Sequence, residues 1–185
     1  MVLQTGNTES DPVILVGQVT KIQELVETIR DDAVKFALSK LTPFQRTKEL
    51  ETLIWQQEFL SHFKCGLAKG VGDTLLAHDG QVRTVYLFEP SANPDAVEGG
   101  EMTTDAAVHL LVRVKKRSAA LNTLIGALDK ALTASIKKMG WSRYSSYRSL
   151  IDIIPITDED IQERKGFAVL LTSVISPPIR VCGGR

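Results

Sequence analysis

The spacing of apolar residues changes once along this chain, and that change limits the fold more than any other feature. From Ile22 they recur as Leu25, Val26, Ile29, Ala33, Phe36 and Ala37, the spacing of one helix face. This predicts a helix from about Thr20 to Lys40. Thr42-Pro43 then reads as a fresh helix start, with Thr as N-cap and Pro in the first turn, where its missing N–H costs nothing. The stripe resumes through Leu50, Leu53, Ile54, Leu60, Leu67 and Val71, and stops at the turn His78-Asp79-Gly80. Gly66, Gly70 and Gly72 interrupt it with residues that disfavour a helix by about 1 kcal/mol each. After residue 80 the pattern is that of strands. Residues 82–88 (Val-Arg-Thr-Val-Tyr-Leu-Phe), 107–114 and 150–156 are short and rich in β-branched and aromatic side chains.

Between these segments the punctuation is clear. Residues 89–104 hold Pro90, Pro94, Gly99 and Gly100 and read as a long loop. Ser118 can cap a helix with Leu121, Leu124, Ile125, Leu128, Leu132, Ile136 and Met139 on its apolar face, and Gly140 is placed to end it. Residues 141–149 form a polar, aromatic loop. Thr157-x-x-Asp160 resembles a capping box opening a short helix that stops at Gly166. Residues 167–176 predict a last strand or a buried helix turn, closed by Pro177-Pro178. The expected class is α/β (α+β): a mixed sheet flanked by helices, with an N-terminal helical extension. The expected organisation is a loose arm over 1–18, a helical extension and lead-in helix over 19–79, and an α/β domain over 80–185, with 19–185 as one compact unit.

A chain of 185 residues, 43% of them hydrophobic, can bury one sizeable core. Its 22 basic and 22 acidic residues cancel, which argues against a wholesale nucleic-acid coat but leaves local basic patches. Two cysteines, Cys65 and Cys182, build neither a disulfide framework nor a Cys-rich zinc site. The N-terminus lacks a basic region followed by an apolar core. The most apolar stretch, 167–179, is interrupted by proline and falls short of the roughly 18 residues a span requires. A soluble, cytoplasmic protein without membrane contact is the expectation.

The order of elements over about residues 55–165 resembles the nucleotidyltransferase fold superfamily, the polymerase β-like and minimal nucleotidyltransferases. A helix leads into Val85-Tyr86-Leu87-Phe88. Ala107-Val108-His109-Leu110-Leu111-Val112 stands where that family has its Asp-x-Asp strand. Residues 118–139 match the next helix, and Leu150-Ile151-Asp152-Ile153-Ile154 the strand bearing the third carboxylate. The resemblance implies nucleotide and divalent-metal chemistry, since nucleotidyl transfer concentrates negative charge that Mg²⁺ held by three carboxylates offsets.

The residues that would carry that chemistry are altered. Asp-x-Asp works because residues i and i+2 project from one face of a strand, and here the pair is Ala107 and His109. Alanine ligates nothing, and imidazole suits Zn²⁺ or Mn²⁺ better than Mg²⁺. A register shift brings in Asp105 with Ala107, still one carboxylate of two. Only Asp152 survives. The family's Gly-Ser turn is replaced by Glu89-Pro90-Ser91, in which Pro90 has no N–H. A Glu89 carboxylate would repel a phosphate by about 4 kcal/mol at roughly 4 Å and an effective dielectric of about 20. Ser91 alone keeps a donor for a nucleotide. The sequence therefore predicts a degenerate, catalytically silent member with no cofactor. The competing enzyme reading uses Asp152, Asp105 and His109 as an atypical Mg²⁺ or Mn²⁺ site that transfers a nucleoside monophosphate.

Two surfaces compete for a binding role. Trp55, Phe59 and Phe63 fall at i, i+4 and i+8 and suggest a face for a second copy or another protein; packing against the chain's own sheet is the alternative. Arg113, Lys115, Lys116, Arg117, Lys137, Lys138, Arg143 and Arg148 lie near Trp141, Tyr144 and Tyr147. That mixture can grip phosphates and stack on bases, or be solvated element ends. A nucleic-acid partner is the lesser expectation. His62 and His78 show no metal spacing.

Overall fold

A computed structural model of the chain describes residues 12–88, 107–174 and 177–183. Helix α1 spans Pro12–Lys40, α2 Leu50–Leu53 and α3 Gln57–His78; strands β1 (Val82–Phe88) and β2 (Val108–Val114) follow. Then come α4 (Ala119–Lys137), β3 (Ile151–Thr157), α5 (Asp158–Gln162) and β4 (Ile179–Gly183). The mixed α/β class read from the sequence is observed. One four-stranded sheet has the order β3-β2-β1-β4. β1 runs antiparallel to both β2 and β4, while β2 and β3 are parallel, as a strand–helix–strand crossover through α4 allows.

Strand alternation divides the sheet between two faces. Val108, Leu110, Val112 and Val114 of β2 join Val85, Leu87 and Ile151 in a core with Phe63, Leu67 and Val71 of α3 and Leu121, Leu128 and Leu132 of α4. The opposite face holds a smaller cluster of Phe88, Leu111, Ile156 and Ala168, with Ile161, Leu170 and Leu171 packed against it. The caps read from the sequence form. Ser118 Oγ accepts from the Leu121 N–H at 3.0 Å, Gly140 follows α4 at φ +73°, and Thr157 and Asp160 make a reciprocal capping box.

The glycines on the α3 stripe have a packing reason. A Cβ on Gly66 would stand 2.7 Å from Ala33 Cα, and one on Gly70 2.8 Å from Ile29 Cγ2. Helices α1 and α3 thus cross at a distance that only a missing side chain permits. The helix propensity lost there is exchanged for close backbone contact.

Several expectations need correction. α1 begins at Pro12, ahead of the residue at which its stripe becomes visible. The single helix expected after Thr42 is three pieces. Thr42 and Gln45 do cap each other, with the Thr42 N–H donating to Gln45 Oε1 at 2.8 Å. They start only a 3₁₀ turn over Gln45–Thr47, and the backbone is extended again at Lys48 and at Gln56. These breaks let Leu53 and Ile54, adjacent in sequence, both become fully buried while Trp55 stays outside. Residues 166–172 form a 3₁₀ segment with Ala168 its buried residue, and the last strand lies beyond the double proline. The loop expected at 89–104 lies outside the described residues. No helix among the described residues is long and apolar enough to cross a membrane.

Candidate functional site

The parallel register of β2 and β3 pairs His109 with Asp152. Both are the second residue of their strands, and both project from the face opposite α3 and α4. His109 Nδ1 lies 3.2 Å from Asp152 Oδ2. A carboxylate offers only acceptors, so this contact is a hydrogen bond when Nδ1 carries the proton. The imidazole is mostly covered, its side chain 14% exposed, whereas the Asp152 side chain is 58% exposed. Phe88 of β1 covers the imidazole from the other side: it pairs with His109 in the antiparallel register, and the rings are 5.6 Å apart. Phe167 lies 6.2 Å beyond Phe88 and closes the row.

The start of β3 is held from a direction the sequence reading missed. Asp129 of α4 accepts, through Oδ1, the N–H groups of Leu150 and Ile151 at 2.9 and 3.0 Å. Thr133 Oγ1 also accepts from Leu150 N–H, at 3.0 Å, and donates to Asp129 Oδ1 at 3.3 Å. The clue was an acidic residue four positions before a threonine, beside the buried stripe of Leu128 and Leu132. An acid there must satisfy something. By fixing the backbone of Leu150 and Ile151, Asp129 sets where the next residue, Asp152, stands.

Of the other residues proposed for the site, Asp105 and Ser91 lie outside the described residues. Ala107 is half-buried just before β2. The structure therefore brings together one imidazole and one carboxylate. Among the described residues no group of three or more His, Cys, Asp or Glu side chains is arranged to hold a metal ion. Such a pair supplies one nitrogen and one oxygen ligand, a donor set suited to a borderline ion such as Zn²⁺; a hard ion such as Mg²⁺ asks for more oxygen than this pair supplies.

Further along the same face, two of the basic residues grouped as phosphate-gripping candidates have acidic partners. Arg113 Nε donates to Asp158 Oδ1 at 2.6 Å, and Arg117 Nη2 to Asp160 Oδ2 at 3.0 Å. The hydrogen bond from Arg113 holds the Asp158 carboxyl below its ordinary range, and raises the guanidinium in turn. Asp160 is lowered first by the Thr157 backbone N–H, then by the Thr157 hydroxyl and by the charges of Arg117 and Lys165. Arg117, Asp160 and Lys165 line a cleft of about 230 Å³ with Pro155 and Phe167.

The aromatic candidates separate. Trp141 and Tyr144 are buried on a 3₁₀ turn at Ser142–Tyr144, and their rings lie 5.5 and 6.2 Å from Phe63. They are therefore core residues, closed to a nucleic-acid base. Phe59 and Phe63 are also fully buried, stacked 5.9 Å apart. Trp55 alone of the proposed aromatic face stays at the surface, 59% exposed. The Arg143 guanidinium lies 5.0 Å from the Trp55 ring centroid and donates to Ile54 O at 3.2 Å. The Cys182 thiol is pushed up to about 11 by burial, which keeps it an inert thiol. No protein-family model, curated protein or solved structure matches this chain.

Proposed function

We propose that the chain carries a nucleotidyltransferase-like fold that no longer transfers nucleotides, and that it acts through contacts with protein, a second copy of itself first. The observation that carries the first half is the His109–Asp152 pair. Where the resemblance calls for three carboxylates, the chain has Ala107, His109 and Asp152, and the last two are hydrogen-bonded to each other at 3.2 Å. Support for the fold comes from the order α3-β1-β2-α4-β3, with β1, β2 and β3 side by side. The protein-contact half rests on Trp55, exposed at the surface with the half-buried Arg143 guanidinium over its ring, a pair of the residue types that most often anchor interfaces.

The test is incubation with labelled nucleoside triphosphates, Mg²⁺ or Mn²⁺ and a cell lysate. The expected result is no label transfer above that of Asp152→Ala. Metal-dependent transfer that disappears in Asp152→Ala would replace this reading with the enzyme one. The convergence of His109 and Asp152 is what favours that second reading: with Asp105, they would hold Mn²⁺ for transfer of a nucleoside monophosphate. A nucleic-acid role is disfavoured because Trp141 and Tyr144 are buried and Arg113 and Arg117 are ion-paired.

A further inference from the structure

We infer that the open half of the sheet face opposite α3 and α4, where Arg83, Arg113 and Arg180 lie about Tyr86, binds an acidic, extended segment of another protein. The inference rests on the reading that the chain acts through protein contacts. It names a second surface, apart from Trp55, and the chemistry of what docks there.

Three adjacent strands supply the cations. Arg113 of β2 shares its face with Leu111, two residues before it, which belongs to the smaller cluster. β1 is bulged at Arg83, so Arg83 and Thr84 both stand against Arg113. Arg180 of β4 pairs with Tyr86, which packs on the same small cluster. The segment after β3 covers the β3 side of this face and leaves Arg83 and Arg180 exposed. Arg113 gives its Nε–H to Asp158 at 2.6 Å, and Arg83 is near enough to lower the same carboxyl. Among the described residues, neither Arg83 nor Arg180 forms an ion pair.

Charge and spacing say what fits. Arginines from three strands, with one carboxylate already engaged among them, favour an anionic partner, and guanidinium forks bind carboxylates through paired hydrogen bonds. Arg180 and Arg113 stand two strands and two residues apart. That is roughly 12 Å, at about 4.8 Å between strands and about 3.3 Å per residue. Arg83 lies between them, nearer Arg113. An extended peptide covers the distance in about four residues. Carboxylates at i, i+2 and i+4 share one side of such a peptide and fall along the three arginines. Nucleic acid fits less well, because Tyr86 is half-buried in the small cluster and leaves little ring for a base to stack on.

The experiment is fluorescence anisotropy of the full chain with a labelled Glu-Ser-Glu-Ser-Glu peptide, its counterpart with Gln for Glu, and an oligothymidylate, with far-UV circular dichroism on each variant. The Glu peptide is expected to bind, more weakly as salt rises, and the Gln peptide not to bind. Arg83→Ser combined with Arg180→Ser changes two exposed positions and is expected to weaken binding about tenfold or more, with an unchanged spectrum. Lys137→Ser combined with Lys138→Ser removes the same charge from exposed positions at the end of α4 and is expected to change binding less than about twofold. Equal binding of the Glu and Gln peptides, an equal loss in the two double variants, or tighter binding of the oligothymidylate through the same arginines overturns the inference. Light scattering of wild type and Trp55→Ala reads contact with a second copy separately, so the protein-contact reading stands or falls on that measurement and not on the peptide.

Discussion

The two faces of the sheet are built from the same strands by the same alternation, yet they differ in thickness. Toward α1, α3 and α4 the strands meet Phe59, Phe63, Leu67, Val71 and Leu128, and an aromatic group of Trp141 and Tyr144 fills the end. On the other side, only Phe88, Leu111, Ile156 and Ala168 are buried, under the short segment that follows β3. The ionic contacts made by strand residues lie on the thin face. Asp152 and Asp158 keep 58% and 49% of their side chains exposed while paired, so their charges stay partly solvated. On the thick face the same groups would lose that hydration and need an excellent partner to compensate. One face thus supplies stability, and the other keeps its charged side chains within reach of water.

The sharpest way to break this contrast is a truncation on each side. Phe63→Ala should destabilise the protein by about 3–5 kcal/mol, because the ring is fully buried among three aromatic neighbours that cannot all move in. Leu111→Ala, equally buried but beneath the thin cover, should cost nearer about 2 kcal/mol, since a short segment can settle into the space. Urea unfolding of both variants decides the matter; equal losses would mean the two faces are packed alike.

A smaller effect belongs to the cover itself. Thr157→Ala removes the hydroxyl that accepts from Asp160 N–H at 3.2 Å and should cost about 1 kcal/mol. Amide exchange should accelerate in α5 and in residues 166–172 while α3 stays protected. Smallest is the response to acid. Asp160 is held below its ordinary value in the folded chain, so its contribution is present above the unfolded value of about 4 and is lost as pH falls through the folded one. The Thr157 amide resonance should move in that acid range, and Asp160→Asn should flatten the titration. A Thr157 shift that persists in Asp160→Asn would assign the effect to Asp158 or another carboxyl.

Much of this architecture can be read locally. The change of apolar period marks the passage from helices to strands, and Ser118, Gly140 and the Thr157–Asp160 box mark ends by contacts made within a few residues. The placement of residues 107–114 beside 150–156 is borne out; the register of that pair then sets His109 against Asp152. Trp55, Phe59 and Phe63 show where local reading stops. Their spacing promises one face of one helix, but α3 begins at Gln57, so Trp55 lies before the helix and points elsewhere. Trp141 and Tyr144 misled in the opposite way, since polar neighbours gave them the look of a surface loop.

Periodicity, capping and the tolerance of glycine are properties of a few neighbouring residues, and the sequence by itself determined them here. Burial is a property of what arrives from far along the chain. Only the tertiary structure could decide that Phe63 meets Trp141, that Asp129 holds the start of β3, that Ala33 needs Gly66 opposite it, and that five residues beyond two prolines complete the sheet as β4. Each of these contacts joins segments tens of residues apart, and each exists because the assembled core leaves those groups no other place to exclude water or satisfy a hydrogen bond.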